Sequence, residues 1–517
     1  MLQNILIDKA ETLKPELFKH IVKPSRAVHV TRDAEAFQGW RMLDAGSPED
    51  AYVKIWDRSD EIILDFCQYC VGYLSFEIES EVNVDCPLRL KIILGEVPAE
   101  IGEDFSGYNG SLGRAWLQEE ILVLDDPPEK VRLPRRYAFR YVKISAEYNS
   151  RYYIKIKNIQ CETVTSADMT AVAALPESFS VELRQIDRIS LDTLKNCMQT
   201  VFEDGPKRDR RLWLGDFRLQ ALVNYQSFKN FDLCKRCLYL FAGLADENGL
   251  VPSCLFERPQ PHSGKSQIYD YTALFAPSLL EYAQASGDWA TAAELWPVAE
   301  RQLRIVLKEV DGDGLFQDNK KWWLFIDWSP QLDKQTAEQG VVIFSLKKAL
   351  ELSKALGREP ETWIKDAIVK MSDAALKHLF DQEKRVFVSG RDRQVSWASQ
   401  AWMTLAGVLP SAGAAEAIST AANTPDAVKP AGPYLYHYIV EAMLAAGMEK
   451  DAYALLEQYW GAMVRLGADT FWEVFDPQDQ YLSPYKSHII NSYCHAWSCT
   501  PAYFLRRQKS QPFCAER

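Results

Sequence analysis

Long apolar runs are missing from this chain of 517 residues. No stretch approaches the roughly 18 consecutive apolar residues that a membrane-spanning helix needs, so we expect no membrane span. The first twenty residues place Asp8 and Glu11 where a secretory signal peptide would have its continuous apolar segment. We therefore predict a cytoplasmic protein with no membrane partner.

Long basic runs are missing as well. The formal net charge is −12 at pH 7, and the lysine and arginine residues are dispersed along the chain. A chain of this kind has little electrostatic attraction for a phosphate backbone or an anionic lipid surface. We therefore expect no nucleic acid partner.

The cysteine pattern does not indicate a disulfide framework. There are 11 cysteines, an odd number, at scattered positions. Two pairs have CxxC spacing, Cys67 with Cys70 and Cys234 with Cys237, which in principle could bind zinc. They fall in different predicted domains and in apolar surroundings, so reduced cytoplasmic thiols are the better account. We expect neither a metal nor a cofactor.

The periodicity of apolar residues divides the chain into two parts. Residues 1–165 are predicted to form a β-sandwich, because short segments of alternating polarity recur there between turn residues. Residues 162–180 are mixed and are interpreted as a linker. The predicted strands are 51–56, 61–66, 72–80, 88–96, 117–124, 139–145 and 152–159.

Residues 166–517 are predicted to be helical throughout, with apolar residues at three- and four-residue spacing. We count eleven or twelve helices, including one after Asp216 and one near Tyr493. Several end at a glycine, as helices commonly do: Gly287, Gly357, Gly447 and Gly467. Short turns alternate with long polar loops, which favours an α/α toroid whose long loops gather at one face.

One of these loops, Asp204 to Asp216, concentrates charge. It reads DGPKRDRRLWLGD and holds three carboxylates, three arginines and Trp213. Gly205 and Pro206 make it a poor helix, so we interpret it as a loop that leads into a helix. The pattern fits a polar pocket, and it also fits a salt-bridged surface loop.

Acidic or histidine side chains flanked by aromatics recur in three later loops. Asp327 lies near Trp323, Glu473 follows Trp472, and His495 precedes Trp497. Each has a structural alternative, since Asp327 could cap a helix, Glu473 could pair with an arginine and His495 could be a core residue. Their recurrence favours a common site.

These segments resemble the α-L-rhamnosidases of glycoside hydrolase family 78. That family has a motif of the form D-C-P-x-R-x-E-R-x-x-W-x-G-D and a second one close to T-x-W-E-x-W-D. With one residue fewer after Arg208, the chain matches the first motif at Asp204, Pro206, Arg208, Asp209, Arg210, Trp213, Gly215 and Asp216. It matches the second at Thr470, Trp472, Glu473 and Asp476, with Phe475 replacing the second tryptophan.

The resemblance implies a six-hairpin glycosidase, an (α/α)6 barrel after the β-sandwich, that removes terminal α-L-rhamnose with inversion. By motif position Asp209 is the general acid and Glu473 the general base. The resemblance further implies that small rhamnose-containing glycosides are the substrates, and the sequence is compatible with a homodimer. The implied substrate-binding residues are Asp204, Arg208, Asp216, Asp327 and His495 for the hydroxyls, and Trp213, Trp323 and Trp472 for an apolar wall beside the sugar methyl group.

One departure leaves alternatives open. The family normally has glutamate where this chain has Asp209, and placing the missing residue later in the loop would put Arg210 at that position. Another α/α-barrel glycosidase, a catalytically inactive rhamnose-binding protein and a purely structural helical scaffold are the rival interpretations.

Overall fold

The computed structural model describes residues 2–58, 60–80, 87–125, 129–147, 150–358 and 362–507. Helix α1 (Leu2–Thr12) comes first, and the short helices α2 (Pro48–Tyr52) and α3 (Pro98–Gly102) lie between strands. The strands are β1 (Phe18–Val22), β2 (Arg26–Arg32), β3 (Trp40–Asp44), β4 (Trp56–Arg58), β5 (Glu61–Ser80), β6 (Leu88–Gly95), β7 (Glu119–Leu124), β8 (Glu129–Arg132), β9 (Tyr137–Ala146) and β10 (Ser150–Thr165). We call residues 18–165 the sheet half.

Strand β5 is the centre of the sheet half. The main strand order is β1-β10-β5-β9-β6-β7, and β2 and β8 also pair with β5. The first part of β5 pairs with β9 and its last part with β10, both antiparallel, and the register shifts between Asp65 and Cys70. Because alternate side chains point to opposite faces, one face buries a core that includes Leu64, Phe76 and Ile144. The packing of two sheets into a sandwich stays a prediction.

Most predicted strands are present with shifted ends. Segments 61–66 and 72–80 are one continuous strand, and β10 runs on to Thr165 in the predicted linker. The prediction of a strand at 51–56 is wrong, because helix α2 ends at Tyr52 and β4 begins only at Trp56. Ser47 and Asp50 form a reciprocal capping box with Pro48 at the first helical position, and this local signal outweighs the alternation.

Twelve α-helices follow in the part of the chain that the structure describes. They are α4 (Val181–Cys197), α5 (Leu214–Gln226), α6 (Phe231–Gly243), α7 (Tyr269–Ser286), α8 (Trp289–Val306), α9 (Gln335–Ala355), α10 (Thr362–Ala374), α11 (Trp397–Leu405), α12 (Ser411–Asn423), α13 (Pro433–Ala445), α14 (Glu449–Arg465) and α15 (Pro501–Arg507). Two small sheets lie among them, made of β11 (Leu212–Trp213), β12 (Cys254–Phe256), β13 (His262–Ser263), β14 (Phe380–Asp381), β15 (Val386–Ser389) and β16 (Gln394–Val395). We call residues 181–507 the helical half.

The helices form an inner and an outer layer. Helices α5, α7, α9, α11 and α13 contact one another in succession, and α15 contacts α5. Every residue of α5 except Gln226 is buried, whereas α10 buries only Ile364, Met371 and Ala374. The residues predicted to end helices, Gly287, Gly357, Gly447 and Gly467, all have positive φ, which confirms them as left-handed helix ends.

The predicted helix near Tyr493 is wrong. That segment is irregular apart from two short 3-10 turns, and α15 begins only at Pro501. The backbone N–H of Tyr493 donates to a carboxylate oxygen of Glu96 (2.9 Å), and that of Ser492 donates to Glu473 (3.3 Å). These side-chain acceptors take the place of helical hydrogen bonds.

The two halves are in close contact. Helix α1, which lies inside the predicted first domain, packs against α6 of the helical half. The Gln38 amide donates to the Tyr493 hydroxyl at 2.7 Å, across the boundary between the halves. The division at 165/166 stays a prediction, with Met1 and residues 508–517 outside the described residues. None of the described helices combines the length and apolar character needed to cross a bilayer.

Candidate active site

A cavity of about 250 Å³ lies where the long loops of the helical half meet the sheet half. The sheet half contributes Leu112 and Trp116, which follow α3 in the chain. Eight of the ten residues singled out by sequence line this cavity: Asp204, Arg208, Asp209, Trp213, Asp216, Trp323, Glu473 and His495. The fold therefore brings together carboxylates that are more than 250 positions apart in the sequence.

The loop from Asp204 to Arg211 is closed by its own hydrogen bonds. The Asp204 N–H donates to the Arg211 carbonyl oxygen (3.0 Å), and the Arg211 N–H donates to Asp204 Oδ1 (3.0 Å). A Cβ atom at Gly205 would lie 2.5 Å from the Arg208 carbonyl oxygen, so glycine is needed for this tight closure. The closed loop fixes the directions in which Arg208 and Asp209 point.

Glu473 is the most constrained carboxylate of the cavity. Its side chain is buried and accepts hydrogen bonds from the Arg208 guanidinium, from the Tyr485 hydroxyl (2.5 Å) and from the Ser492 N–H (3.3 Å). The guanidinium also donates to the Ile490 carbonyl oxygen (3.1 Å) and stacks on the Tyr485 ring at 4.3 Å. A carboxylate with these partners holds one orientation, as a general base or a ligand-binding group must.

Asp209 is the more open carboxylate, with a fifth of its side chain exposed. Its two oxygens lie 3.6 Å from Arg208 Nη1 and 3.6 Å from Arg211 Nη1. Asp209 and Glu473 therefore contact nitrogens of the same Arg208 guanidinium. Arg210, which the alternative alignment puts at the acid position, is not among the residues that line this cavity. Burial, with Arg136 nearby, lowers the pKa of Arg210 to about 10.

Two further carboxyl groups sit deeper in the cavity wall. Burial raises the pKa of Asp204 well above its ordinary value, and the neighbouring Asp209 and Asp216 add to that effect. Burial also raises the pKa of Asp216 to about 8, although a hydrogen bond from the Tyr271 hydroxyl (3.0 Å) opposes the shift. Asp216 is therefore mostly protonated at neutral pH and can donate as well as accept hydrogen bonds.

Asp216 lies at the cavity because helix α5 begins with Leu214-Gly215-Asp216, which places Asp216 in its first turn. A Cβ atom at Gly215 would lie 2.2 Å from the Tyr271 ring, so a larger residue there would displace the ring that holds Asp216. The Nδ1 atom of His495 lies 3.9 Å from Asp216 Oδ1. Both atoms are buried and have no hydrogen-bond partner among the described residues, which leaves them for a polar ligand.

His495 is uncharged in this setting. Burial and the nearby Arg208 lower its pKa well below the ordinary value. Its ring lies 4.1 Å from that of Trp497, which also faces the cavity. A neutral imidazole beside the protonated Asp216 carboxyl group gives this part of the cavity wall hydrogen-bonding capacity without net charge, which suits sugar hydroxyls.

Aromatic rings form most of the remaining wall. The Phe325 ring stacks on that of Trp497 (5.6 Å), and the Trp328 ring meets that of Tyr485 edge-on (5.8 Å). Trp323 is 42% exposed and stands at the opening. Several cavity residues were not predicted as site residues: Leu112, Trp116, Arg211, Ile268, Tyr271, Phe325, Trp328, Tyr485 and Trp497.

Two of the predicted site residues do not line this cavity. Trp472 faces away from the cavity and stacks on Phe37 at 4.4 Å, because neighbouring residues of an irregular segment point to opposite sides and Glu473 points inward. Asp327 is buried outside the lining, where its Oδ2 accepts the Ala431 N–H (2.7 Å), and burial raises its pKa to about 7. Its carboxyl group supports a loop instead of touching the cavity.

The two halves match two family models. Residues 24–163 match the model described as the glycosyl hydrolase family 78 alpha-rhamnosidase N-terminal domain. Residues 177–508 match the bacterial alpha-L-rhamnosidase 6 hairpin glycosidase domain. No curated protein matches the chain.

Solved structures agree with the family models. A rhamnosidase from Klebsiella oxytoca with rhamnose bound is 43% identical, with 98% of each chain covered and a TM-score of 0.95. A family 78 rhamnosidase of Bacillus sp. GL1 is 24% identical, with 92% of this chain and 50% of that chain covered and a TM-score of 0.73. An α-L-rhamnosidase of Streptomyces avermitilis complexed with L-rhamnose is 16% identical, with 95% and 44% covered and a TM-score of 0.68. The last two show likeness of fold alone. Both models and the Klebsiella structure lead to one conclusion: the chain belongs to the α-L-rhamnosidases of glycoside hydrolase family 78 and carries their six-hairpin glycosidase domain.

Proposed function

We propose that the protein hydrolyses small α-L-rhamnosides with inversion at the anomeric carbon. The observation that carries the proposal is the meeting of Asp209 and Glu473 in one cavity, each against the same guanidinium. Inverting glycosidases need two carboxyl groups about 6.5–9.5 Å apart, so that a water molecule fits beside the sugar. Two carboxylates that contact different nitrogens of the same Arg208 guanidinium are compatible with that spacing.

Asp209 is the proposed general acid by its motif position, and its partial exposure leaves room for a leaving group beside it. Its proton passes to the glycosidic oxygen as the bond to the anomeric carbon breaks. Glu473 accepts a proton from a water molecule, and the water oxygen bonds to the anomeric carbon from the opposite face. The proton returns from Glu473 to Asp209 through solvent, which restores both groups for the next cycle.

The part of the cavity wall around Asp216 and His495 supports rhamnose as the sugar. Asp216 and His495 each hold a buried polar atom that has no hydrogen-bond partner in the described ranges of the chain, and these atoms would pair with ring hydroxyls. Trp213, Phe325 and Trp497 supply an apolar surface on which the C5 methyl group of rhamnose would lie. The Klebsiella relative with rhamnose bound has the same overall structure. The layered helices support the (α/α)6 arrangement as part of the same proposal.

Leaving-group dependence tests the roles of the two carboxylates. We expect Asp209→Asn to lose about 10²–10⁴-fold in kcat on an unactivated rhamnoside, and less on an aryl rhamnoside with a good leaving group. Glu473→Gln should lose activity on both substrates, because water activation is needed for each. Asp476→Asn is the matched control, since Asp476 belongs to the same motif but accepts the Gln478 N–H (2.8 Å) away from the cavity.

The stereochemical outcome is tested separately by NMR. The first rhamnose released should be the β-anomer, because water attacks from the face opposite the leaving group. If the α-anomer appears first, inversion is wrong. Near-normal turnover of an unactivated rhamnoside by Asp209→Asn would remove Asp209 from the acid role.

One observation favours a second candidate. Aspartate stands where the family has glutamate, which would suit a rhamnose-binding protein without turnover. Such a protein would bind L-rhamnose in calorimetry and release no nitrophenol from any nitrophenyl glycoside of a panel that includes the α-L-rhamnoside. The cytoplasmic location and the homodimer remain predictions.

A further inference from the structure

Lys207, next to Arg208 in the cavity loop, is a buried lysine whose ammonium group faces away from the cavity. Its side chain is 2% exposed. The ammonium group lies 2.7 Å from Glu96 Oε2, also contacts Glu100, and donates to the Asn491 carbonyl oxygen (2.5 Å). Three acceptors for three N–H donors leave the amine fully paired, as a buried charge requires.

The two glutamates belong to the sheet half. Glu96 follows β6 and Glu100 lies in α3, and both side chains are buried. Glu96 accepts hydrogen bonds from the Tyr69 hydroxyl and from the Tyr493 N–H (2.9 Å). Burial raises the pKa of Glu100 to about 7, while Lys207 opposes that shift. The sheet half therefore presents an acidic socket, formed by Glu96 and Glu100, to the loop that carries Arg208 and Asp209.

The Lys207 ammonium group also contacts a second loop beside the cavity, residues 490–492. Asn491 lies between Ile490, whose carbonyl oxygen accepts from Arg208 (3.1 Å), and Ser492, whose N–H donates to Glu473 (3.3 Å). Lys207 thus ties together the two loop segments that supply hydrogen bonds to Glu473 or to its arginine partner. In the family motif quoted above, position 207 is unspecified.

We propose that Lys207, seated between Glu96 and Glu100 of the sheet half, is a positioning residue that sets the placement of Arg208 and hence of Glu473 and Asp209. The inference rests on the proposed function, because its effect is read on that reaction. It assigns the sheet half a part in catalysis through the contacts of a buried lysine with two buried glutamates. A displacement of the reacting groups by about 1 Å can cost a factor of about 100 in rate.

The test compares Lys207→Met and Glu100→Gln with the wild type. Methionine keeps an apolar stem of similar length but removes the charge, and glutamine weakens the socket while it keeps the shape. We expect kcat for an aryl rhamnoside to fall about 100-fold in Lys207→Met, with a smaller fall in Glu100→Gln. The KM should change far less, because Asp216 and His495 still face the sugar.

Arg506→Met is the matched control. Arg506 forms a buried ion pair with Asp187 through two contacts of 2.7 Å, within the helical half and away from both loops. Its loss should lower the melting temperature and leave kcat of the folded protein unchanged. If Lys207→Met and Glu100→Gln behave like this control, the role is structural only and the inference is overturned.

A second measurement keeps the inference separate from the proposed function. Amides of 204–211 and 489–493 should exchange hydrogen faster in Glu100→Gln than in the wild type, and not in Arg506→Met. A wild type without activity on any rhamnoside would refute the proposed function while this result still decides whether the socket orders the loops. Unchanged exchange in Glu100→Gln would overturn the inference even in an active enzyme.

Discussion

Removing the Tyr485 hydroxyl tests how much one hydrogen bond to Glu473 contributes to the reaction. The Tyr485 hydroxyl donates to Glu473 Oε1 at 2.5 Å, and its ring packs under the Arg208 guanidinium. Tyr485→Phe removes the hydrogen bond and keeps the ring. Because a hydrogen bond to a charged group contributes roughly 1.5–3 kcal/mol, we expect kcat/KM on an aryl rhamnoside to fall about tenfold to a hundredfold.

Tyr481→Phe is the control for that substitution. Tyr481 lies in the same loop, is 51% exposed and is not among the cavity residues. Its kcat/KM should match the wild type. Equal activity of both variants would mean that Glu473 does not need the Tyr485 hydroxyl.

Asp216 gives a pH-dependent prediction. Burial raises its pKa from 3.8 to about 8, so the folded chain keeps a proton that the unfolded chain has already released. The unfolding free energy of the wild type therefore falls as pH rises through this window, and Asp216→Asn lacks that loss. The stability of the variant relative to the wild type should rise by about 1.4 kcal/mol per pH unit between pH 5 and pH 8. Urea unfolding at both pH values measures it, and a pH-independent difference would contradict the assignment.

Local sequence patterns identified the charged residues of the cavity better than its aromatic ones. Asp204, Asp209 and Asp216 stand out because one loop concentrates them. Tyr485 has no such signal, since it reaches Glu473 only after the chain between them folds back. Trp472 was predicted to line the cavity and does not, because its position beside Glu473 in a motif does not tell which way its ring points.

At the scale of elements, helix ends were more predictable than helix existence. The glycines expected to end helices have positive φ because only glycine adopts that conformation without a Cβ penalty. Helix α12 gives only a weak sequence signal, since its sequence SAGAAEAISTAAN offers alanine where larger apolar residues usually mark the buried face.

Gly447 allows a clean measurement of that conformational effect. It follows α13 with φ +79°, and a Cβ atom there would meet no atom of the described residues within 4 Å. Gly447→Ala should therefore cost about 1–2 kcal/mol through backbone strain alone. Gly312→Ala is the matched control, because Gly312 is equally open and does not have φ in the left-handed range. Chemical denaturation of both variants gives the comparison, and equal stability would contradict the strain.

At the scale of the whole molecule, the cavity belongs to both halves. Leu112 and Trp116 line it from the sheet half, and the Lys207 ammonium group ties its loops to Glu96 and Glu100. The sequence patterns did not predict these contacts, because each joins residues about a hundred or more positions apart. Periodicity reports only local structure, so such contacts are beyond its reach.

Because residues of both halves line the cavity, we predict that a bound sugar stabilises both halves. At 100 times its dissociation constant, L-rhamnose should raise the unfolding free energy by about 2.7 kcal/mol. Amide hydrogen exchange should show the gain in β5 and β9 of the sheet half as well as in α5 and α7 of the helical half. Protection confined to the helices would mean that the sheet half does not share in sugar binding.

L-mannose is the matched control, because it carries a hydroxyl in place of one hydrogen of the rhamnose methyl group. Burying that hydroxyl against the aromatic wall without a partner costs about 1–3 kcal/mol, so L-mannose at the same concentration should stabilise the protein far less.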